Sequence, residues 1–122
     1  MAGKIIADQI EHSTAGSLDT SYVVNGSAKM WSNVQSDQST QNDSLNVSSV
    51  SDEGTGASRR NLTSAFANNP FSHAGLSVVQ TNSGGFSRFT SVSASAVETS
   101  VRNSANSAHD KENSCIALGD LA

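Results

Sequence analysis

The chain has 122 residues, a net charge of −4, 15% charged side chains, 35% hydrophobic and 5% aromatic content, and a single proline. No run approaches the roughly 20 apolar residues of a membrane span, and the only basic cluster is Arg59 beside Arg60, so neither membrane insertion nor nucleic acid binding is expected. Abundant Ser, Asn and Thr with little charge fits an all-β chain better than a disordered one, because disorder usually draws on high net charge or much Pro and Glu.

The length implies one domain, and the first residues, MAGKIIADQIEH, lack the apolar core and cleavage site of a secretory signal, so synthesis in a cytoplasm is expected. Cys115 is the only cysteine. It cannot form an intrachain disulfide and is expected to act as a small buried hydrophobe, with a reactive thiol as the lesser alternative. A β domain this small and this poor in aromatics is marginal alone, so oligomerisation is expected to supply the missing burial.

In chain order, residues 1–21 read as an extended N-terminal arm closed by the turn formers of STAGSLDTS. In YVVNGSAKMWSN, the Asn25-Gly26 pair predicts a type I′ hairpin that sets Val24 opposite Ser27, Val23 opposite Ala28 and Tyr22 opposite Lys29. Tyr22, Val24 and Trp31 then share one face, and Val23, Ala28 and Met30 the other. With both faces apolar, one is expected to meet the chain's own core and the other a neighbouring subunit.

Residues 35–42, QSDQSTQN, read as an exposed loop or polar edge strand, and DSLNVSSVSD as a strand ending in the glycine-rich turn 52–56. The stretch 58–71 places Leu62 and Phe66 at helical spacing but also fits an extended segment, so helix and strand stay open there. Leu76, Val78 and Val79 predict a strand closed by a turn at 82–85. Val92, Ala94 and Ala96 alternate with serines and predict another strand continuing to Val97 or Val101. After a polar loop, SCIALGDLA closes the chain as a strand with Cys115 and Ala117 on one face and Ile116 and Leu118 on the other. Strands every 10 to 15 residues with turns between them predict an antiparallel β-sandwich or jelly-roll-like domain over residues 22–122.

The segments IADQI, VVNGSAKMW, DSLNVSSVSDEGTG and NLTSAFANNPF occur in an order and spacing similar to a C-terminal β module of tail-fibre and related virion proteins of tailed, often marine, bacteriophages. The resemblance covers about the first 71 residues. Met30 stands where that pattern has Ala, Leu45 where it has Phe, Arg59 and Arg60 interrupt its aromatic stretch, and SDQSTQND lacks its glycine-rich hairpin. The resemblance implies a non-enzymatic, homotrimeric component of the virion exterior, made in the host cytoplasm: a short fibre, a spike or a capsid decoration protein. The arm is then expected to carry attachment to other capsid or tail proteins, or trimer contacts. Tyr22, Val23, Val24, Met30 and Trp31 are the expected core or subunit-interface residues.

His12, His73 and His109 have no zinc-ligand spacing with Cys115, and no cofactor or metal is expected. No Gly-x-Ser-x-Gly elbow supports nucleophilic catalysis, DEGTG lacks the alternating ligands of a calcium loop, and Gly84-Gly85 is not followed by a P-loop Lys. The sequons at Asn25, Asn46 and Asn61 are expected in a Ser/Thr-rich chain and read as turn and strand residues. Arg59, Arg60, Arg88 and Phe89 are the candidate surface recognition residues, and a lectin-like domain binding host-surface glycan is the alternative function.

Overall fold

A computed structural model describes Gly3 and residues 5–69, 72–77 and 85–122. Its regular structure is β apart from one short helix, as composition predicts. Among the described residues three antiparallel sheets form: β1 (Gln9–His12) with β2 (Gly16–Asp19); a four-stranded sheet ordered β4-β3-β10-β7; and a second four-stranded sheet ordered β5-β6-β9-β8. In the first four-stranded sheet β3 is Met30–Val34, β4 Gln41–Leu45, β7 Ser72–Ser77 and β10 Asn113–Leu118. In the second, β5 is Val47–Gly54, β6 Ala57–Leu62, β8 Gly85–Ser93 and β9 Ala96–Asn103.

Burial alternates with period two on the central strands: Met30, Ser32 and Val34 on β3, Ser58, Arg60 and Leu62 on β6, Asn113, Cys115 and Ala117 on β10. Met30, Cys115 and Ala117 of the first sheet cluster with Leu62 and Val97 of the second and with Phe66, which closes one end through a bridge to Leu121. Cys115 is therefore buried as expected, with its thiol 3.9 Å from the Met30 sulfur.

The chain passes from β4 of one four-stranded sheet to β5 of the other at a single residue that leaves the β region. DSLNVSSVSD is divided at Asn46, whose φ of +60° lies in the left-handed region that Asn tolerates. Its side chain then brackets the neighbouring segment, accepting from Ser64 N at 2.7 Å and donating to Ser64 O at 2.9 Å. That pairing keeps residues after Leu62 out of a helix. The serine-rich run 91–101 is likewise two strands, because Ser93 Oγ accepts from Ser95 N at 3.2 Å and turns the chain at 94–95. The turn at 52–56 forms, with Asp52 Oδ1 accepting from Gly54 N. Val78, Val79 and the turn positions 82–84 lie outside the described residues.

The Asn25-Gly26 hairpin does not form. Residues Thr20–Gly26 make a helix, α1, because Asp19 acts as its N-cap, accepting from Ser21 N at 2.8 Å. Asn25 and Gly26 then serve as the helix end. Ser27 N returns to Val23 O at 3.2 Å, and Lys29 Nζ caps the Val24 carbonyl. The described part of the expected arm thus holds the β1–β2 hairpin and the start of α1, and residues 27–29 link α1 to β3.

Candidate functional site

The N-terminal unit holds itself together locally. Ile10 pairs with Leu18 across β1 and β2, and Thr20 ties α1 back through its N–H to Asp8 O at 2.9 Å and its hydroxyl to Ala7 O at 2.8 Å. Twenty-odd residues cannot enclose a core. Ile5 is 95% exposed and Tyr22 69% exposed, and Ile6, Ile10, Leu18, Val23 and Val24 are also open to solvent. Between hairpin and helix lies an open apolar groove of about 410 Å³ lined by Ile5, Ile6, Ala7, Ile10, Thr20, Val23 and Val24.

A second apolar surface crosses the outward face of the β4-β3-β10-β7 sheet. Register places Leu45 opposite Trp31, Trp31 opposite Ile116, and Ile116 opposite Ala74, one residue from each strand in a single row. All four are exposed, and Leu76, two residues along β7, is 79% exposed. A shallow depression of about 240 Å³ lies along β7 and β10 at Leu76 and Ile116. The outward row of the other sheet is polar by contrast: Ser51 opposite Arg59, and Arg59 opposite Glu98.

The five expected interface residues are thus divided. Met30 is core, Trp31 lies on the outward stripe, and Tyr22, Val23 and Val24 belong to the N-terminal unit.

The four expected recognition residues are also divided. Arg60 is 0% exposed and points between the sheets, a correction that follows from its parity with Ser58 and Leu62 on β6. Its guanidinium donates from Nε to Ser32 Oγ at 2.6 Å, from Nη1 to Thr99 Oγ1 at 2.7 Å and Ser58 Oγ at 3.1 Å, and from Nη2 to Asn113 Oδ1. These acceptors are all neutral, so oriented dipoles take the place of water around a buried charge. Burial lowers the Arg60 pKa, opposed in part by Cys115; burial raises that of Cys115, opposed by Arg60 and by the Ser32 hydroxyl.

Phe89 is partly buried against the core and tilts over His73 at 5.6 Å, which leaves Arg88 exposed and Arg59 half-buried on the polar face. Gln38, expected in an exposed loop or polar edge strand, is buried; its amide donates to Lys111 O at 2.9 Å and accepts from Asn113 Nδ2 at 3.1 Å. A Gln in a run of Gln, Ser and Asp carries no sequence mark of burial, and only its left-handed backbone, φ +59°, sets it apart.

Among the described residues no group of three or more His, Cys, Asp or Glu is placed to hold a metal, and no helix is long and apolar enough to cross a membrane. No family model, curated protein or solved structure matches the chain.

Proposed function

We propose that the chain is a structural component of the exterior of a tailed-phage particle, a short fibre, spike or decoration protein that assembles as a homotrimer. In this reading the two four-stranded sheets form a β-sandwich body, and the N-terminal unit joins copies to one another and to the particle. The observation that carries it is the N-terminal unit itself: seven large apolar side chains between Ile5 and Val24 are exposed on a segment too short to bury them. Contiguous apolar surface on that scale marks an interaction site rather than a solvated terminus. The motif order IADQI, VVNGSAKMW, DSLNVSSVSDEGTG gives the viral part of the reading. The reading concerns assembly; of the expected recognition residues, Arg59 and Arg88 stay on the polar face while Arg60 is buried and Phe89 packs against the core.

Immuno-electron microscopy tests the assignment. Antibodies raised against the full chain are expected to label intact tailed particles in lysates of producing cells at a fixed number of positions per particle. Label confined to free protein would reject it.

A further inference from the structure

The chain carries two uncovered apolar surfaces of matching character. One is the groove of the N-terminal unit, whose lining is apolar apart from Thr20. The other is the row Leu45, Trp31, Ile116, Ala74, extended by Leu76. Both are exposed in the same chain, so the N-terminal unit does not shield its own sheet. We propose that the groove of one copy seats on the β4-β3-β10-β7 face of a second copy. This rests on the reading that the chain assembles with itself, and names the contact through which it does so.

Area favours a second copy as the occupant. The exposed side chains Ile5, Ile6, Ile10, Leu18, Tyr22, Val23 and Val24 leave the N-terminal unit with apolar surface of the order that one partner hides in a standard stable interface, about 800 Å². Chemistry selects the receiving face. The outward row of the other sheet holds Ser51, Arg59 and Glu98 and would strand charges under an apolar groove. The Trp31 row crosses all four strands of its sheet without a charged residue. Trp31 supplies the large aromatic that such contacts centre on.

The contact is heterologous, groove to face, so it leaves one free groove and one free face at the ends of any open chain of copies. Such a contact closes when its rotation returns to the start, and otherwise grows into a filament. Closure after three copies yields the trimer. The three-residue link 27–29 spans at most about 11 Å, which keeps the unit close to the end of β3.

Disulfide trapping in the full chain tests this. The double variant Ile6→Cys, Leu76→Cys is oxidised in the native state and quenched with excess alkylating agent before denaturation, which keeps buried Cys115 out of the reaction. The expected result is a ladder of covalent dimer and trimer that neither single variant gives. A second variant, Ile6→Asp, sets a charge in the groove away from the core between the sheets. Far-ultraviolet dichroism is expected to stay native while the concentration needed for assembly rises about a hundredfold. A bridge within one chain, or an oligomer that forms no bridge and tolerates Ile6→Asp, overturns the groove-to-face contact and leaves self-assembly standing. A monomeric parent chain overturns both.

Discussion

Arg60 Nε donates to Ser32 Oγ at 2.6 Å, joining β6 of one sheet to β3 of the other through a cation with neutral acceptors. Truncation to Ala opens a cavity and strips partners from Ser32, Ser58, Thr99 and Asn113, so Arg60→Ala is expected to cost about 3–5 kcal/mol in chemical denaturation. Arg60→Met keeps most of the volume and removes the buried charge. Ser58 and Thr99 hydroxyls lie 3.0 Å apart and Thr99 Oγ1 lies 3.0 Å from Asn113 Oδ1, so the acceptors can satisfy one another. The Met variant is expected within about 1–2 kcal/mol of the parent. Equal losses in the two variants would mean that the charge itself, rather than the filled and hydrogen-bonded space, holds the sheets.

Cys115 gives a pH dependence. Burial raises its folded-state pKa, with Arg60 and Ser32 pulling the other way. The folded chain therefore keeps a proton that the unfolded chain releases above about pH 8.5. Stability from this source is complete below that pH and is lost as pH rises toward the folded value. Urea midpoints between pH 7 and 10 are expected to fall, and Cys115→Ala to flatten the slope; an unchanged slope would contradict the assignment.

Asp19 decides between helix and hairpin at 20–26. Accepting from Ser21 N holds its carboxyl below the usual carboxylate range, so the cap is present above the ordinary Asp pKa and is lost as pH falls through the lowered value. Nuclear magnetic resonance shifts of residues 20–26 are expected to move toward coil in acid and in Asp19→Ala, and to stay helical in Asp19→Asn. Strand-like shifts at Tyr22 and Val23 in the parent would restore the hairpin.

Gly75 makes room for the Phe89 ring. A Cβ at Gly75 would collide with the Phe89 ring and the Ser114 carbonyl, so the missing side chain is what lets Phe89 pack under β7. Gly75→Val is expected to lower the melting temperature by about 10 °C or more, an overpacking loss of about 2–3 kcal/mol. A fully stable Gly75→Val would place Phe89 elsewhere.

The sequence was legible where burial follows period two. The separation of Cys115 and Ala117 from Ile116 onto opposite faces follows from alternation, and the all-β class from composition and the spacing of turns. It was not legible where one residue type serves two geometries. Asn25-Gly26 suits both a type I′ turn and a helix end, and Asp19, six residues upstream of Asn25, decides between them. Arg60 looked like half of a surface pair because charge argues for exposure, yet its parity with Ser58 and Leu62 argued for burial, and the hydroxyl-rich strands opposite made that tolerable. Gln38 had no pattern to betray it. The outward stripe could not be seen before the strand order was known, since Leu45, Trp31, Ile116 and Ala74 are neighbours only through three cross-strand registers.

The central claim is that one chain cannot cover the apolar side chains at either end of the link 27–29, so copies must cover them for each other. Sedimentation equilibrium of the full chain at micromolar concentration measures this directly. The account predicts a mass three times the 12.6 kDa of one chain. A folded species of 12.6 kDa with native dichroism would contradict it.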